Sequence, residues 1–331
     1  MQKVRIAQIG TSVYSHGRPI FATLAASEYF EIAGYALPEN EDKLYDEGIL
    51  DVFQKYPRLT VDEIMQDETI VAVAIETEEL YLTKYALLAA QHRKHIHMEK
   101  PGGAELCEFE KLIRAVKETG KVFQIGYMYR YNPCIAALIK RVKNGELGEI
   151  VSVEAQMNGK YTDAQRQWLA KLPGGIMFFL GCHMLDLIVS LQGFPKEVIP
   201  LNQSTGLSGI QATDFGMAAL VYGNGVSFAK INTVEKGGFL RRQLVVTGTK
   251  GTAEVNPLEV NGEGNLVSTG ISECYTDGWC DTGVYEQTPQ FDRYQSMLES
   301  FAMKCLGELQ ESYTPDYELA LYRLLLQCAN G

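Results

Sequence analysis

The sequence has few of the features that mark membrane-bound or nucleic-acid-binding proteins. Its 331 residues carry 30 Lys and Arg against 41 Asp and Glu, a net charge of −11, and no long run of basic residues. Because an acidic surface repels phosphate backbones and anionic lipid, we expect neither a nucleic-acid partner nor a membrane-surface partner. The single long apolar run, residues 175–194, contains His183 and Asp186, which are costly in hydrocarbon. We therefore expect a buried helix there.

Cysteine pairs and metal-ligand spacings are also lacking. The seven cysteines show no CxxC spacing, and the closest pair is Cys274 and Cys280. The odd count, together with the lack of a secretory leader, predicts free thiols in a reducing cytoplasm. The histidines at 92, 95 and 97 have no nearby cysteine or carboxylate that completes a tetrahedral set, so we expect no metal site.

Internal repeats and low-complexity linkers are absent, and the length suits two domains. Strand and helix candidates alternate up to about residue 125, which predicts a doubly wound parallel sheet with helices on both faces. The predicted strands are 4–10, 30–37, 69–77, 95–101 and 122–129. The predicted helices are 18–27, 44–56, 61–67, 79–93 and 104–120.

The pattern changes after residue 130. A helix candidate at 132–145 precedes longer strand candidates joined by the turn sequences NG, GNG and TGTKG, which favour antiparallel pairing. These strands are predicted at 149–159, 214–223, 225–235 and 241–255, with closing helices at 291–307 and 317–329. We expect a second α/β domain with a large, mostly antiparallel open sheet.

A glycine-rich phosphate loop is only partly present after the first strand candidate. In GTSVYS only the first glycine fits the G-x-G-x-x-G pattern, although the serines are small enough for a pyrophosphate to approach the backbone. An ordinary glycine turn explains the same residues. No acid ends the second strand candidate, but Glu39 is close, and the following Asn40-Glu41-Asp42 favours NAD over NADP by repelling a 2′-phosphate. The expected dinucleotide contacts in this loop are Gly10, Thr11, Ser12, Val13 and Tyr14.

The segment MEKPGG places Glu99, Lys100 and Pro101 at the end of a buried strand candidate. Ligands bind at the carboxyl ends of parallel strands, so Lys100 is predicted to face the nicotinamide. Its ammonium can stabilise a developing alkoxide, while Glu99 holds it or tunes its pKa. The alternative is a surface Lys–Glu pair.

The apolar helix candidate carries a second polar pattern. After Gly174-Gly175 come Phe179, His183 and Asp186, which share one helix face. A histidine can remove a hydroxyl proton while hydride leaves the same carbon, and Asp186 can orient it or bind a substrate hydroxyl. The alternative is a structural pair, since both groups destabilise an apolar helix unless they are paired. Trp168 either packs against a sugar ring or belongs to the core.

Together these segments resemble the glucose-fructose oxidoreductase / inositol dehydrogenase / rhizopine-catabolism (Gfo/Idh/MocA) family over nearly the whole chain. The pieces that carry the resemblance are GTSVYSH, MEKPGG, IGYMYRYNP, LGEIVSVEA and PGGIMFFLGCHMLDLI. The resemblance implies a Rossmann domain at 1–125 and a domain at 126–331 for substrate binding and oligomerisation. It also implies hydride transfer between NAD, or alternatively NADP, and a carbinol of a sugar, cyclitol or sugar derivative.

Residue roles follow from the same resemblance. The expected catalytic residues are Lys100, His183 and Asp186. Beside the loop, the expected cofactor contacts are Thr77, Glu99 and Lys100. The expected substrate contacts are Tyr127, Arg130, Trp168, Phe179 and His183. The partners are then a sugar-like small molecule and further copies of the chain, as a homodimer or homotetramer through the second sheet.

Three departures from the family pattern leave other functions open. The phosphate loop lacks two glycines, the usual T-P-N-x-x-H reads Thr77-Glu78-Glu79-Leu80-Tyr81, and Phe179 replaces an aspartate. A catalytically weak or inactive protein that senses a dinucleotide or sugar is the main alternative. A further alternative is a lyase or hydrolase that oxidises its substrate transiently with tightly bound NAD.

Overall fold

The structure, a computed structural model, describes residues 2–12, 14, 16–44, 48, 50–278 and 283–330. The chain forms two compact units. The first unit contains Met1–Tyr127 and Tyr294–Tyr322, and the second contains Met128–Arg293 and Arg323–Gly331.

Sixteen strands and ten α-helices lie within the described residues. The strands are β1 Val4–Ile9, β2 Phe30–Ala36, β3 Ala72–Ile75, β4 His95–Met98, β5 Phe123–Ile125, β6 Ile150–Gln156, β7 Glu197–Pro200, β8 Phe215–Val221, β9 Val226–Asn232, β10 Gln243–Gly248, β11 Thr252–Val255, β12 Val260–Asn261, β13 Leu266–Ser268, β14 Gly270–Cys274, β15 Val284–Gln287 and β16 Phe291–Asp292. The helices are α1 Gly17–Ala26, α2 Glu41–Leu44, α3 Val61–Gln66, α4 Leu82–Gln91, α5 Leu106–Thr119, α6 Pro133–Lys143, α7 Asp163–Leu169, α8 Cys182–Gln192, α9 Gln295–Cys305 and α10 Pro315–Ala329.

The first unit is built on a five-stranded parallel sheet in the order β2-β1-β3-β4-β5. Its strands are short and largely apolar, as a sheet covered on both faces requires, and β3 is buried at every position. Since the strand order reverses beside β1, the crevice at the carboxyl ends of β1 and β3 is where such sheets bind ligands. The predicted Rossmann-type fold is confirmed.

Helix α9 belongs to the first unit, whereas the sequence analysis placed residues 126–331 together in the second domain. Met297, Leu298 and Phe301 are buried on this helix, and α9 contacts α1. The Gln124 side-chain amide, at the end of the sheet in β5, donates to the Met297 carbonyl at 3.0 Å. The chain therefore returns to cover this sheet, which local sequence periodicity does not reveal.

Two local predictions differ from the structure. The helix predicted over 44–56 is wrong where the structure describes it, because residues 51–56 form turns that follow the short helix α2. The helix predicted over 79–93 begins with a 3₁₀ turn, Glu79–Tyr81, before α4. This tight turn determines where the Glu79 side chain lies.

The second unit contains an eight-stranded sheet in the order β15-β14-β11-β10-β6-β9-β8-β7, which is antiparallel except where β6 pairs with β9. Helix α8 packs on one face, against β6 and β9. Side chains on that face are buried, and those on the other are half-exposed, as in the alternation along β8. The predicted large, mostly antiparallel sheet is confirmed.

Helix α8 is the apolar helix that the sequence predicted, and nine of its residues are buried. A π-helical turn, Met177–Gly181, precedes it. Single π-helical turns are rare in helices and occur frequently at functional sites. Among the described residues, no helix is both long and apolar enough to span a membrane.

Candidate active site

The loop between β1 and α1 is tightly packed against the segment that follows β3. Gly10 has a φ of +87°, and a Cβ there would lie 2.5 Å from Thr77 Cγ2, so glycine is required for both conformation and space. The Ser12 amide donates to the Glu76 carbonyl at 2.9 Å, and the Tyr14 amide donates to the Ser12 hydroxyl at 3.3 Å. Val13, also predicted as a cofactor contact, lies outside the described residues.

Glu41 is a buried acid that the sequence analysis treated only as part of an acidic run. Its Oε2 accepts a hydrogen bond from the Thr11 amide at 2.9 Å. Burial raises the pKa of Glu41 to about 8, although the Thr11 hydrogen bond acts in the opposite direction. The Thr11 amide is therefore bonded to a carboxyl oxygen of the protein itself.

Glu39, which the sequence suggested for the adenosine ribose, is held by helix α4. Its Oε1 accepts from Lys84 Nζ at 2.5 Å and from the Tyr85 hydroxyl at 2.7 Å. The Lys84 hydrogen bond, followed by that of Tyr85, lowers the pKa of Glu39. Of Glu39 and Glu41, only the latter is bonded to the loop among the described contacts.

Lys100 is buried at the carboxyl end of β4, with only 1% of its side chain exposed. Its Nζ lies 3.6 Å from Glu99 Oε1, and His16 Nδ1 lies 3.6 Å from the same oxygen. Burial opposes ionisation of Glu99, but the His16 hydrogen bond and the charge of Lys100 hold its pKa below the ordinary value. The alternative of a surface Lys–Glu pair is therefore wrong.

The turn after Lys100 is fixed by three neighbouring helices of the same unit. A Cβ on Gly102, whose φ is +119°, would lie 2.8 Å from the Phe109 ring of α5. The Gly103 amide donates to the Thr83 hydroxyl of α4 at 2.7 Å, and the Gly103 carbonyl accepts from the Tyr322 hydroxyl of α10. This packing holds the lysine in place and explains the two glycines of MEKPGG.

Two further buried carboxyls, which the sequence analysis did not identify as functional, lie near Lys100. Glu76 directly follows β3, and His97 Nε2 of β4 is 3.8 Å from its Oε1. Burial, then the charge of Glu99, raises the pKa of Glu76 well above its ordinary value. Glu79 lies on the 3₁₀ turn, and burial raises its pKa to about 7. Each carboxyl is fully inaccessible to solvent.

In the second unit, His183 lies in the first turn of α8 and is 2% exposed. The Tyr129 ring packs edge-to-face against its imidazole, with ring centroids 5.2 Å apart. The Tyr129 hydroxyl donates to Glu259 Oε2 at 2.9 Å, and Arg293 Nε donates to Glu259 Oε1 at 2.6 Å. This network, which the sequence analysis missed because its members are distant in the chain, fixes the ring that contacts His183.

Asp186 is bonded to Arg130. Its Oδ1 accepts from Arg130 Nε at 2.8 Å and from Nη2 at 2.6 Å, and both side chains are 1% exposed. Burial raises the pKa of Asp186 even though the Arg130 charge opposes this rise. Asp186 Oδ2 is buried and has no hydrogen-bond partner among the described groups. The sequence spacing suggests His183 or a substrate hydroxyl as the partner of Asp186, whereas in the structure Asp186 pairs with Arg130.

The aromatic residues predicted to contact substrate are buried. Trp168 and Phe179 pack edge-to-face with ring centroids 4.9 Å apart, and they are 6% and 5% exposed. Such a pair is typical of core packing. Tyr127, at the end of the first segment of unit 1, is 1% exposed.

Two family models match the chain. Residues 4–127 match one described as an oxidoreductase family with an NAD-binding Rossmann fold, and residues 135–254 match the GFO/IDH/MocA C-terminal domain. An aldose-aldose oxidoreductase from Caulobacter crescentus, solved with glycerol, shares the fold with a TM-score of 0.80 at 19% identity, covering 99% of this chain and 98% of that one.

Among curated relatives, the scyllo-inositol 2-dehydrogenase (NADP(+)) IolW of Bacillus subtilis is 27% identical over 165 residues, which are 49% of this chain and 46% of that protein. The 2,7-anhydro-N-acetylneuraminate hydratase of Escherichia coli is 24% identical over 213 residues, covering 61% and 56%. The chain spans about half the length of these curated relatives.

A parallel dinucleotide-type sheet followed by an open-sheet α/β unit defines a class of two-domain proteins built around a Rossmann fold. Because family models match both parts, this chain belongs to the Gfo/Idh/MocA oxidoreductase family. The resemblance stated from the motifs is confirmed.

Proposed function

We propose that this protein transfers hydride between a nicotinamide dinucleotide and a carbinol of a sugar, cyclitol or sugar derivative. The observation that carries the proposal is Lys100, buried beside Glu99 at the carboxyl end of β4, in the unit that also holds the Gly10 loop. The names of the inositol dehydrogenase and aldose oxidoreductase relatives support the substrate class.

The roles of the residues follow from their chemistry. NAD, when bound, supplies the hydride acceptor. The Lys100 ammonium donates a hydrogen bond to the substrate oxygen and stabilises negative charge as it develops there. His183 accepts the hydroxyl proton. Arg130, through its bond to Asp186, orients the residues around the histidine.

The dinucleotide is held by the loop that begins at Gly10. Close packing at Gly10 leaves space for backbone alone, which suits a loop whose backbone approaches a pyrophosphate. Glu39, whose pKa is lowered by Lys84 and Tyr85, favours NAD, since its charge repels a 2′-phosphate beside it. A direct titration with NADH and NADPH tests this preference through cofactor fluorescence.

Substitution of the two catalytic candidates tests the proposed activity. Lys100→Met and His183→Asn are each expected to lower kcat/KM on a sugar and polyol panel by about a hundredfold or more. Lys111→Met is the matched control, because Lys111 is exposed on α5 and pairs with Glu108 at the surface. Wild-type rates in both test variants would show that the roles are wrongly assigned.

A second candidate is a reaction without net redox change, in which the substrate is oxidised and then reduced again. The similarity to the 2,7-anhydro-N-acetylneuraminate hydratase supports this second reaction as a candidate. Product analysis combined with NADH absorbance separates the two: turnover without accumulation of NADH and without added cofactor indicates this second reaction.

We also propose that the protein forms a homodimer or homotetramer through the half-exposed face of the large sheet. Register pairs place Ile199, Ala219 and Phe228 side by side on that face, and Ile199 is 44% exposed. An apolar row of this kind is stabilised by a second copy. The free thiols of the described cysteines, including exposed Cys107, suit the cytoplasm.

A further inference from the structure

The parallel sheet of the first unit has a cleft at the edge that the proposed function does not use. The cleft has a volume of about 430 Å³, which is within the range of small-molecule sites. It lies where β3, β4 and β5 begin, whereas Lys100 lies where β4 ends. We call it the basic cleft, and the lining residues that give it its chemistry are Glu68, Ile70, Val71, Arg93, Lys94 and Lys121.

Lys94 is the buried cation of the basic cleft. It is 4% exposed, and its Nζ donates to the Asp67 carbonyl at 2.7 Å and to the Ile70 carbonyl at 2.8 Å. An ammonium carries three N–H donors, so one is left for a further acceptor. In the part of the chain that the structure describes, no carboxylate lies within 4.0 Å of this Nζ, and the Asp67 carboxylate is bonded by Thr69 and Arg5 instead. Because a buried charge without a counter-ion is costly, an anion gains more free energy at Lys94 than at an exposed lysine.

Two further cations of the basic cleft, Arg93 and Lys121, make no side-chain hydrogen bond and no ion pair with the described residues. The carboxyl ends of helices attract cations by themselves, and both residues follow such an end. However, the backbone amide of Arg93 is the group that donates to the Ala90 carbonyl of α4, at 2.9 Å, and the Gly120 amide donates to the Val116 carbonyl of α5 at 3.2 Å. The charged groups of Arg93 and Lys121 are therefore not used to cap these helices.

The charge and the polarity of the basic cleft together indicate a class of ligand. Three cations and one acid, Glu68, are among its described lining residues, so its net charge is two positive on a chain whose net charge is −11. Its apolar part contains Ile70, which is 1% exposed, and Val71, which is 41% exposed. A phosphate monoester carries nearly two negative charges at neutral pH and three acceptor oxygens, whereas a monocarboxylate compensates only one of the two charges.

We propose that the basic cleft binds a phosphate monoester of a small molecule, with the phosphate at Arg93, Lys94 and Lys121 and the apolar part of the ligand over Ile70 and Val71. A guanidinium binds two phosphate oxygens through parallel N–H groups, and the two ammonium groups act as point charges beside it. This site does not depend on the proposed function. Because it lies at the opposite edge of the sheet from Lys100, its ligand binds without displacing a dinucleotide.

Titration calorimetry of the full-length protein with phenyl phosphate tests the proposal, because this probe joins a phosphate dianion to an apolar ring. One molecule is expected to bind per chain, about tenfold or more tightly than benzoate, which has one negative charge, or inorganic phosphate, which has no apolar part. Equal affinity for either control compound would overturn the assigned ligand class. The absence of phenyl phosphate binding at millimolar concentration would overturn the site itself.

Four variants locate the binding. Lys121→Met and Arg93→Asn should each raise the Kd for phenyl phosphate about tenfold, since each removes a charge-assisted bond. Asparagine is chosen because Arg93 has a φ of +56°, which asparagine tolerates. Glu68→Gln removes the acid and should tighten binding about threefold, a gain that a misfolded protein cannot give. Lys111→Met, which removes an exposed lysine of the same unit, is the matched control. If the first two variants keep the wild-type Kd, or the control loses as much affinity as they do, the proposal is wrong.

Saturation with NADH separates the basic cleft from the proposed dinucleotide site. The Kd for phenyl phosphate is expected to stay the same, and displacement of the probe by NADH would overturn the proposal. Gly10→Ala, which alters the loop after β1, should likewise leave this Kd unchanged. Failure of the proposed function gives a different result, because a protein that binds no nicotinamide dinucleotide still binds phenyl phosphate in the basic cleft.

Discussion

Removing Arg130 tests how the second unit holds Asp186. Arg130→Met leaves a carboxylate that is 1% exposed without the two charge-assisted hydrogen bonds, at 2.8 and 2.6 Å, that it now accepts. Breaking a buried ion pair from one side costs about 3–5 kcal/mol, because the remaining charge is left uncompensated. We expect the free energy of unfolding in urea to fall by that amount.

Two comparisons strengthen this test. Arg241→Met removes an arginine that is 61% exposed in its pair with Glu235, and it should cost less than about 1 kcal/mol. Asp186→Asn in the Arg130→Met background removes the stranded charge, so the double variant should recover part of the loss. Additive losses, or a cost for Arg130→Met no larger than that of the control, would refute the buried-pair reasoning.

The pH dependence of the same variant has a defined sign. The folded pKa of Asp186 is already raised by burial, and without Arg130 it must rise further. An acid whose folded pKa exceeds its unfolded value favours the folded state most at low pH, and this contribution is lost as pH rises through the folded pKa. Arg130→Met should therefore lose less stability at pH 5 than at pH 8, measured by urea unfolding at both values.

Three further predictions concern other parts of the molecule. The free energy of unfolding of the wild type should decline between pH 5 and pH 9, because the Glu79 pKa is raised from 4.5 to about 7, which contributes about 3 kcal/mol at most. Glu79→Gln should remove this decline in urea titrations, and an unchanged slope of unfolding free energy against pH in the variant would contradict the assignment. Gly10→Ala should weaken NADH binding more than tenfold and lower Tm, because Gly10 has a φ of +87° and a Cβ there would clash with Thr77. Wild-type affinity in the variant would show that the loop adapts. Ile199→Asp should shift the molar mass measured by light scattering to that of a monomer, whereas Leu309→Asp, similarly exposed at 43% but in the first unit, should not.

Much of the fold could be predicted because its signals are local. Alternating apolar runs and amphipathic helices indicated the parallel sheet, and MEKPGG indicated a lysine at a strand end. The prediction of a helix over 44–56 was wrong because Phe53 is buried from a turn, and a single buried apolar residue looks the same in sequence as one on the apolar face of a helix. Helix α9 has ordinary amphipathic periodicity, and nothing in that periodicity specifies which sheet it covers.

The site was harder to predict because the type of a residue determines neither whether its side chain is buried nor which distant residue it pairs with. Glu41 and Glu79 look like ordinary surface acids in acidic stretches, yet both are buried. Asp186 was expected to pair within its helix, but its partner Arg130 lies 56 positions earlier in the chain. Only packing of the second unit brings these two charges together.

Helix α9 also has a consequence for synthesis and for engineering. Since the first unit needs Tyr294–Tyr322, a ribosome has made nearly the whole chain before that unit can close over its sheet. Until then the surface that buries Met297 and Phe301 stays uncovered and is open to chaperones or aggregation. An exchange of cofactor modules between relatives must therefore transplant two separate stretches of sequence.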